Sequence, residues 1–222
     1  MPVWPGDQFL INYKNALFSG VNVPVGTMMI NSLVMAIGIA VGKIVISLLS
    51  AFAIVYFRFP GRTTFFWMIF ITLMLPVEVR IVPTFEVVAG FGMLNSYSGL
   101  IFPLIASATA TFLFRQFFLT IPDELAEAAR VDGANGWQVF RRITFPLLMV
   151  ALAPLLIGSF AFNFNNFIIV EFLTNGGPPI LDAAVPIGAT DILITFTFNV
   201  AVAAGRGNQF GVGSAITILI FF

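Results

Sequence analysis

The chain has 222 residues, 59% of them hydrophobic and 9% charged, with a mean hydropathy of +1.01. Soluble domains carry about 25% charged residues, so a water-soluble domain is excluded and the chain reads as a polytopic membrane protein. Ten basic and ten acidic residues cancel, which leaves no electrostatic basis for binding nucleic acid. There is no Cys and no His, so disulfides, thiol chemistry, a His-based metal site and His acid–base catalysis are excluded.

In chain order, residues 1–26 form an N-terminal segment without the basic region and apolar core of a signal peptide. A spanning helix needs about 20 mostly apolar residues. Run A covers about Thr27 to Phe57, run B Thr63 to Val82, run C Leu100 to Phe118 and run D Pro146 to Val170. Run E starts near Phe210 and reaches Phe222, about half a span. The segment "TNGGPPILDAAVPIGATD" between D and E is rich in Gly, Pro and Asp and predicts a loop with short structure of its own. The expected fold is an all-α transmembrane bundle of about five spans, with residues 27–222 as the transmembrane domain.

Basic residues in short loops set the orientation. Arg58 and Arg62 lie between A and B; Arg130, Arg141 and Arg142 lie between C and D. The B–C loop has none after Arg80, and the D–E loop has only Arg206. The A–B and C–D loops are therefore expected inside, and B–C, D–E and the N-terminal segment outside. An external N-terminal segment without a signal leads us to expect a further span before run A. Within run A, "GIAVGK" (Gly38 to Lys43) is one residue short of a phosphate loop, and Ile44 follows where Ser or Thr would bind magnesium. Its glycines suit close approach of another helix, and any use of ATP requires a partner.

Charge concentrates at "ELAEAARVDGANGWQVFRRITFP" (Glu124 to Pro146). Thr120 is expected to cap a helix, with Pro122 in its first turn and Asp123 and Glu124 at its positive end. Leu125, Ala128, Ala129 and Asp132 recur at helical spacing, and Gly133 ends the helix. Such a rod of about 16 Å is too polar to span a bilayer. It is either a solvated linker or a docking element for a cytosolic partner, with Trp137, Phe140 and Ile143 at the membrane edge.

Two polar sets lie within the apolar runs. Ser159, Asn163 and Asn166 fall at i, i+4, i+7, one face of a continuous helix. They are either an interhelical polar seam or a site for sugar hydroxyls beside the ring of Phe162. Glu78 and Arg80 lie between Pro76 and Pro83. They are either a local ion pair or part of a substrate path; along a straight helix Arg80 would stand about 27 Å from Arg62, near the outer edge of the bilayer core.

The spacing Glu127-Ala128-Ala129-x3-Gly133-x9-Ile143-x-x-Pro146 resembles the EAA loop of permease subunits in binding-protein-dependent ABC importers. Residues 28–146, with "LLSAFAIVYFRFPGR", look like the E-type permeases of glycerol-3-phosphate importers. Residues 147–222, with "SFAFNFNNFIIVEFLTNGGP", look like the F-type permeases of maltose importers. The family has Leu where Phe145 stands, and by the resemblance a span is missing at the start and the last is truncated. The resemblance implies a coupling loop at about 120–145, in which Glu127, Ala128, Ala129, Asp132 and Gly133 dock on an ATPase. It implies that Ser159, Phe162, Asn163 and Asn166 match sugar contacts. It further implies a second permease subunit, two cytosolic ATPase subunits that hold ATP and Mg, a periplasmic binding protein and a bacterial inner-membrane location.

The expected function is ATP-driven import of a small polar solute by alternating access, with sn-glycerol 3-phosphate favoured and a maltodextrin or other carbohydrate as the alternative. The chain itself is expected to bind no cofactor and to catalyse nothing. An intramembrane enzyme would need paired catalytic groups at one depth, and the sequence offers none. A non-transporting scaffold or a non-functional fragment is the rival of another class. A chain carrying a single cysteine in place of Asn175 is expected to react with a membrane-impermeant thiol reagent from outside intact cells. Labelling from the cytosolic side alone would refute this topology.

Overall fold

The computed structural model describes residues 9–15, 25–181, 187–203 and 210–221, so Arg206 and most of the N-terminal segment lie outside the described residues. A short helix, α1 (Phe9–Lys14), precedes α2 (Val25–Tyr56). Run A is realised as α2, whose 32 residues extend about 48 Å. Among the described residues α2 alone is long and apolar enough to cross a membrane, or up to three spans exist if bent helix pairs are counted. Of the about five spans expected, one to three are thus met among the described residues, the second and third only as bent pairs.

Run B breaks first. It forms α3 (Arg62–Ile71), a 3-10 turn (Thr72–Met74) and α4 (Val77–Gly90). Leu75, which precedes Pro76, is extended at φ −86° and ψ 118°, because the proline ring disfavours the helical region for the residue before it. The straight rod assumed for the depth of Arg80 therefore does not exist. Run C forms α5 (Tyr97–Ile105) and α6 (Ala108–Phe118), with Ser107 between them accepting from the Ala110 N–H. The charged linker contains α7 (Asp123–Val131), α8 (Gly136–Val139) and a π-helical turn (Phe140–Thr144). Run D forms α9 (Phe145–Phe164) and α10 (Phe167–Leu173). The loop that follows contains an isolated antiparallel bridge, Pro179 to Gly188. It also runs into α11 (Leu193–Phe198) and a π turn (Asn199–Ala203), an apolar helix that hydropathy alone does not single out. Run E forms α12 (Phe210–Phe221).

The chain divides into two compact units. One comprises residues 1–37, 81–102 and 162–222. Its core is Met28 of α2, Leu193 and Phe196 of α11, Val200, and Val212, Ala215 and Ile216 of α12. A polar network fastens the α10–α11 loop to α2. Asn31 Nδ2 donates to the carbonyls of Ala189 (3.0 Å) and Asp191 (2.9 Å), and the Tyr97 hydroxyl donates to Asn31 Oδ1. Ser32 Oγ accepts from the Leu193 N–H at 2.8 Å, supplying α11 with the capping oxygen that Ile192 lacks. Burial pushes the Asp191 carboxyl above its usual range, opposed by the Gly188 N–H that donates to it at 2.7 Å.

The other unit comprises residues 38–80 and 103–161. Its core joins Leu48 and Ala51 of α2, Ala110, Phe114 and Phe118 of α6, and Leu148 and Leu152 of α9. Gly42 lets α5 pack on α2: a Cβ there would lie 2.5 Å from Ile105 Cγ2. The close approach expected of this glycine is present, and the "GIAVGK" stretch is helical throughout.

The α10–α11 loop depends on two backbones meeting. A Cβ on Gly188 would lie 1.9 Å from the Gly176 carbonyl oxygen and 2.9 Å from the Gly177 nitrogen. Gly188→Ala is expected to destabilise the chain by about 2–3 kcal/mol, the upper part of the overpacking range, since backbone has nowhere to yield. Gly136→Ala, with nothing within 4 Å, is the matched control and is expected to be neutral. Equal thermal midpoints for the two variants in detergent would show that the loop is not held this way.

Candidate functional site

The charged segment from Glu124 to Pro146 lies within the second unit. Thr120 does not cap α7 as expected; its hydroxyl turns back and donates to the Phe117 carbonyl at 2.7 Å, closing α6. The chain then bends through Ile121 and Pro122, and the Leu125 N–H reaches the Pro122 carbonyl at 3.2 Å. The nine residues of α7 make a rod of about 13.5 Å.

Its C-terminal end is tightly specified. The Asp132 N–H donates to the Ala128 carbonyl (3.0 Å) and the Ala134 N–H to that of Ala129 (2.9 Å), while Gly133 sits at φ 80°. A left-handed glycine with a bond reaching back five residues turns the chain out of the helix and satisfies carbonyls at its end. Glu127, Ala128, Asp132 and Gly133 are exposed and Ala129 is half-buried. Five residues singled out from sequence thus share one short helix and its terminal turn. Val131 joins them as an apolar side chain that is 88% exposed.

A second helix start follows at once. Asn135 Oδ1 accepts from the Gln138 N–H, and Gln138 Oε1 accepts from the Asn135 N–H, both at 2.9 Å. This reciprocal cap is absent from the expectations above, although Asn-x-x-Gln before an apolar run is its signature. Trp137, Phe140 and Ile143 do not simply lie at an edge. With Phe52, Tyr56 and Leu125 they line a cavity of about 430 Å³ beneath α7. Trp137 stacks on Phe140 with ring centroids 5.6 Å apart, and Phe140 meets Phe52 edge-on at 5.6 Å. This charged segment therefore rests on rings from α2 and on the start of α9.

The transport-path candidates are less united. Ser159, Phe162 and Asn163 stand on α9, but Asn166 does not, because α9 ends at Phe164 and Asn166 precedes α10. The single face expected from i, i+4, i+7 spacing is interrupted by this break. The break still joins two of the set, since Asn166 Nδ2 donates to Asn163 Oδ1 at 3.4 Å and both residues are buried. Phe162 is 68% exposed, so it does not share the burial of Asn163. Arg80 is exposed in the first turn of α4, and the side chain of Glu78 lies outside the described residues. Positions two apart on a helix do not face each other, so helix geometry alone does not bring positions 78 and 80 together as a pair. The buried polar residues Asn31 and Ser32 are additions from the structure; two polar side chains in so apolar a run were the available signal.

Open space surrounds Gly133, where a Cβ would meet nothing within 4 Å, so only its backbone conformation opposes substitution. Gly133→Val is expected to strain the left-handed position by about 1–2 kcal/mol and to speed exchange of the Asp132 and Ala134 amides about tenfold. Gly133→Asn, a residue that tolerates this conformation, is expected to change it little. Equal exchange in both variants would show that residue 133 does not hold the helix end.

Residues 43–222 match the family described as "Binding-protein-dependent transport system inner membrane component". The chain is similar to the sn-glycerol-3-phosphate transport system permease protein UgpE of Salmonella typhi, at 59% identity over 171 residues. It is similar to the protein of the same description from Escherichia coli (strain K12), at 57% identity over 171 residues. Each alignment covers 76% of this chain and 61% of the relative, so the chain spans less than two thirds of the relatives' length.

Proposed function

Because the chain belongs to the family of binding-protein-dependent transport system inner membrane components, we propose that it serves as a permease subunit of an ATP-driven importer for sn-glycerol 3-phosphate. The observation that carries the reading is α7: a short, exposed helix with a left-handed glycine stop, seated on an aromatic shelf between spans. Glu127, Ala128, Ala129, Asp132 and Gly133 form the surface that meets a cytosolic ATPase. ATP and Mg reside on that ATPase, a second permease subunit completes the pathway, and a periplasmic binding protein delivers the solute. The whole sits in the inner membrane with α7 on the cytosolic side. Movement of the ATPases pushes α7, and the rings of Trp137, Phe140 and Phe52 pass the push to α9 and α2, so the pathway opens alternately to either side.

The substrate assignment is supported by the two relatives, both sn-glycerol-3-phosphate permeases, at 57–59% identity. Arg80 supplies the matching chemistry: an exposed guanidinium outside any described ion pair, able to make paired hydrogen bonds to a phosphate. A carbohydrate is the second reading, favoured by the exposure of the Phe162 ring one position from the buried Asn163–Asn166 pair.

Uptake measurements separate the two. Arg80→Gln is expected to lower glycerol 3-phosphate uptake at least tenfold, consistent with loss of a charge-assisted bond of about 1.5–3 kcal/mol. Asn163→Ala is expected to affect it far less. Normal uptake by Arg80→Gln at unchanged protein levels would remove the phosphate role and favour the sugar. Glu127→Lys is expected to insert normally yet fail to co-purify with the ATPase, and full co-purification would sink the coupling role of α7. A complex with no substrate-dependent ATP turnover would identify a scaffold instead.

A further inference from the structure

Three guanidinium groups gather where α2 gives way to α3. Arg62 and Arg115 line a cavity of about 100 Å³ with Thr63, Phe66 and Leu119. Arg58 and Arg62 line an open groove with Thr63 and Thr64. Arg62 and Thr63 belong to both, so the two spaces adjoin. Among the described residues none of the three arginines forms an ion pair. Arg115 lies with Cζ 4.2 Å from the centre of the Phe66 ring, while its Nε is buried without a hydrogen-bond partner.

That arrangement is incomplete as it stands. A cation in the last turn of α6 is favoured by the helix dipole, and the ring attracts the guanidinium face. Neither gives the Nε–H an acceptor. A buried charged donor left unpaired is costly, and the like charges paired at each of the two adjoining spaces, Arg62 with Arg115 and Arg58 with Arg62, repel unless an anion sits between them. The stretch that carries Arg58 and Arg62 supplies no such anion: from Arg58 to Leu75 there is no acidic residue. The missing partner has acceptor oxygens and negative charge.

The surroundings define its class. Next to the cations, α3 presents Phe65, Trp67, Met68 and Ile71, all exposed and all apolar or aromatic. Cations and hydroxyls thus abut a greasy outer surface, as at the level where lipid headgroups meet acyl chains. We propose that Arg58, Arg62 and Arg115, with the Thr63 hydroxyl, bind the headgroup phosphate of an anionic phospholipid whose chains lie along α3. The proposal rests on the membrane setting of the permease reading and not on its substrate. Three cations select an anionic lipid over a zwitterionic one, whose own ammonium they would repel.

The test uses Trp67, which packs against Phe66, as reporter, after Trp4→Phe and Trp137→Phe remove the other indoles. The chain is placed in mixed micelles containing either brominated phosphatidylglycerol or brominated phosphatidylcholine. Phosphatidylglycerol is expected to quench Trp67 at a several-fold lower lipid fraction. The double variant R62Q/R115Q is expected to lose that preference, at roughly fivefold per arginine, and R62K/R115K to keep most of it. R58Q, at an exposed position, tests the groove without touching the cavity and is expected to weaken the preference alone. Equal quenching by both lipids, or a preference that survives in R62Q/R115Q, would overturn the proposal. So would excess inorganic phosphate that abolishes the preference when sodium chloride of equal ionic strength does not, since the groove would then serve a soluble anion. Loss of uptake in cells with the lipid preference intact would count against the transport reading alone.

Discussion

In lipid there is no water to satisfy a backbone group that leaves its helix, and this requirement governs the chain wherever a span is broken. At the α5–α6 break, the Ser107 carbonyl accepts from both Ser47 Oγ (3.2 Å) and Thr111 Oγ1 (2.9 Å), while Ser107 Oγ accepts from the Ala110 N–H (3.3 Å). At the break in run B, Thr72 Oγ1 donates to the Ile69 carbonyl and the Leu75 N–H to that of Thr72. Between α9 and α10, the Phe167 N–H reaches the Asn165 carbonyl at 2.9 Å. At the end of α10, Thr174 Oγ1 closes on the Val170 carbonyl. Each interruption therefore coincides with a hydroxyl or amide side chain, and these few polar residues decide where bends are tolerable.

The same constraint sorts α2. Between its ends the exposed positions are apolar, among them Ile30, Leu33, Val34, Ile37 and Val41, whereas Asn31, Ser32 and Ser47 are buried. Lipid is as apolar as leucine, so burial of leucines does not itself draw helices together in a bilayer. Association rests on close contact at Gly42, on interlocked rings, and on the inward hydroxyls and amides. The rings are concentrated where α2, α6 and α9 meet beneath α7: Phe52 lies within 6 Å, centroid to centroid, of Tyr56, Phe118 and Phe140. The start of α8 and the π turn thus pack on stiff, two-torsion side chains.

Much of this is legible in the residues. The apolar runs locate α2, α9 and α12, and the pattern around Glu127 locates α7 with its glycine stop, because local chemistry suffices there. What the residues do not announce involves partners distant along the chain. Nothing near Ser107 points to Ser47, 60 positions away, and nothing near Asn31 points to carbonyls 158 and 160 positions away. Hydropathy also merges two helices into one run when the break contains only one or two polar residues, as at Ser107 and at Asn165–Asn166. Asn166 reads as part of the α9 face for that reason. Leu193–Phe198 is easily overlooked because a stretch of six residues, only four of them apolar, falls below any spanning length.

The π turn at Phe140–Thr144 sets where this chain tolerates a change of length. A π turn stores one residue more than an α turn over the same rise. Removing one residue from this stretch lets it relax to an ordinary helix, with α8 and α9 keeping their facing sides. Removing one from the middle of α9 would instead rotate everything beyond it by about 100°, turning Leu148 and Leu152 away from α6 or carrying Asn163 out of its buried position. Loss of one residue between Val139 and Phe145 should therefore leave α7, α8 and the packing of α9 in place, whereas loss of one within α9 should not.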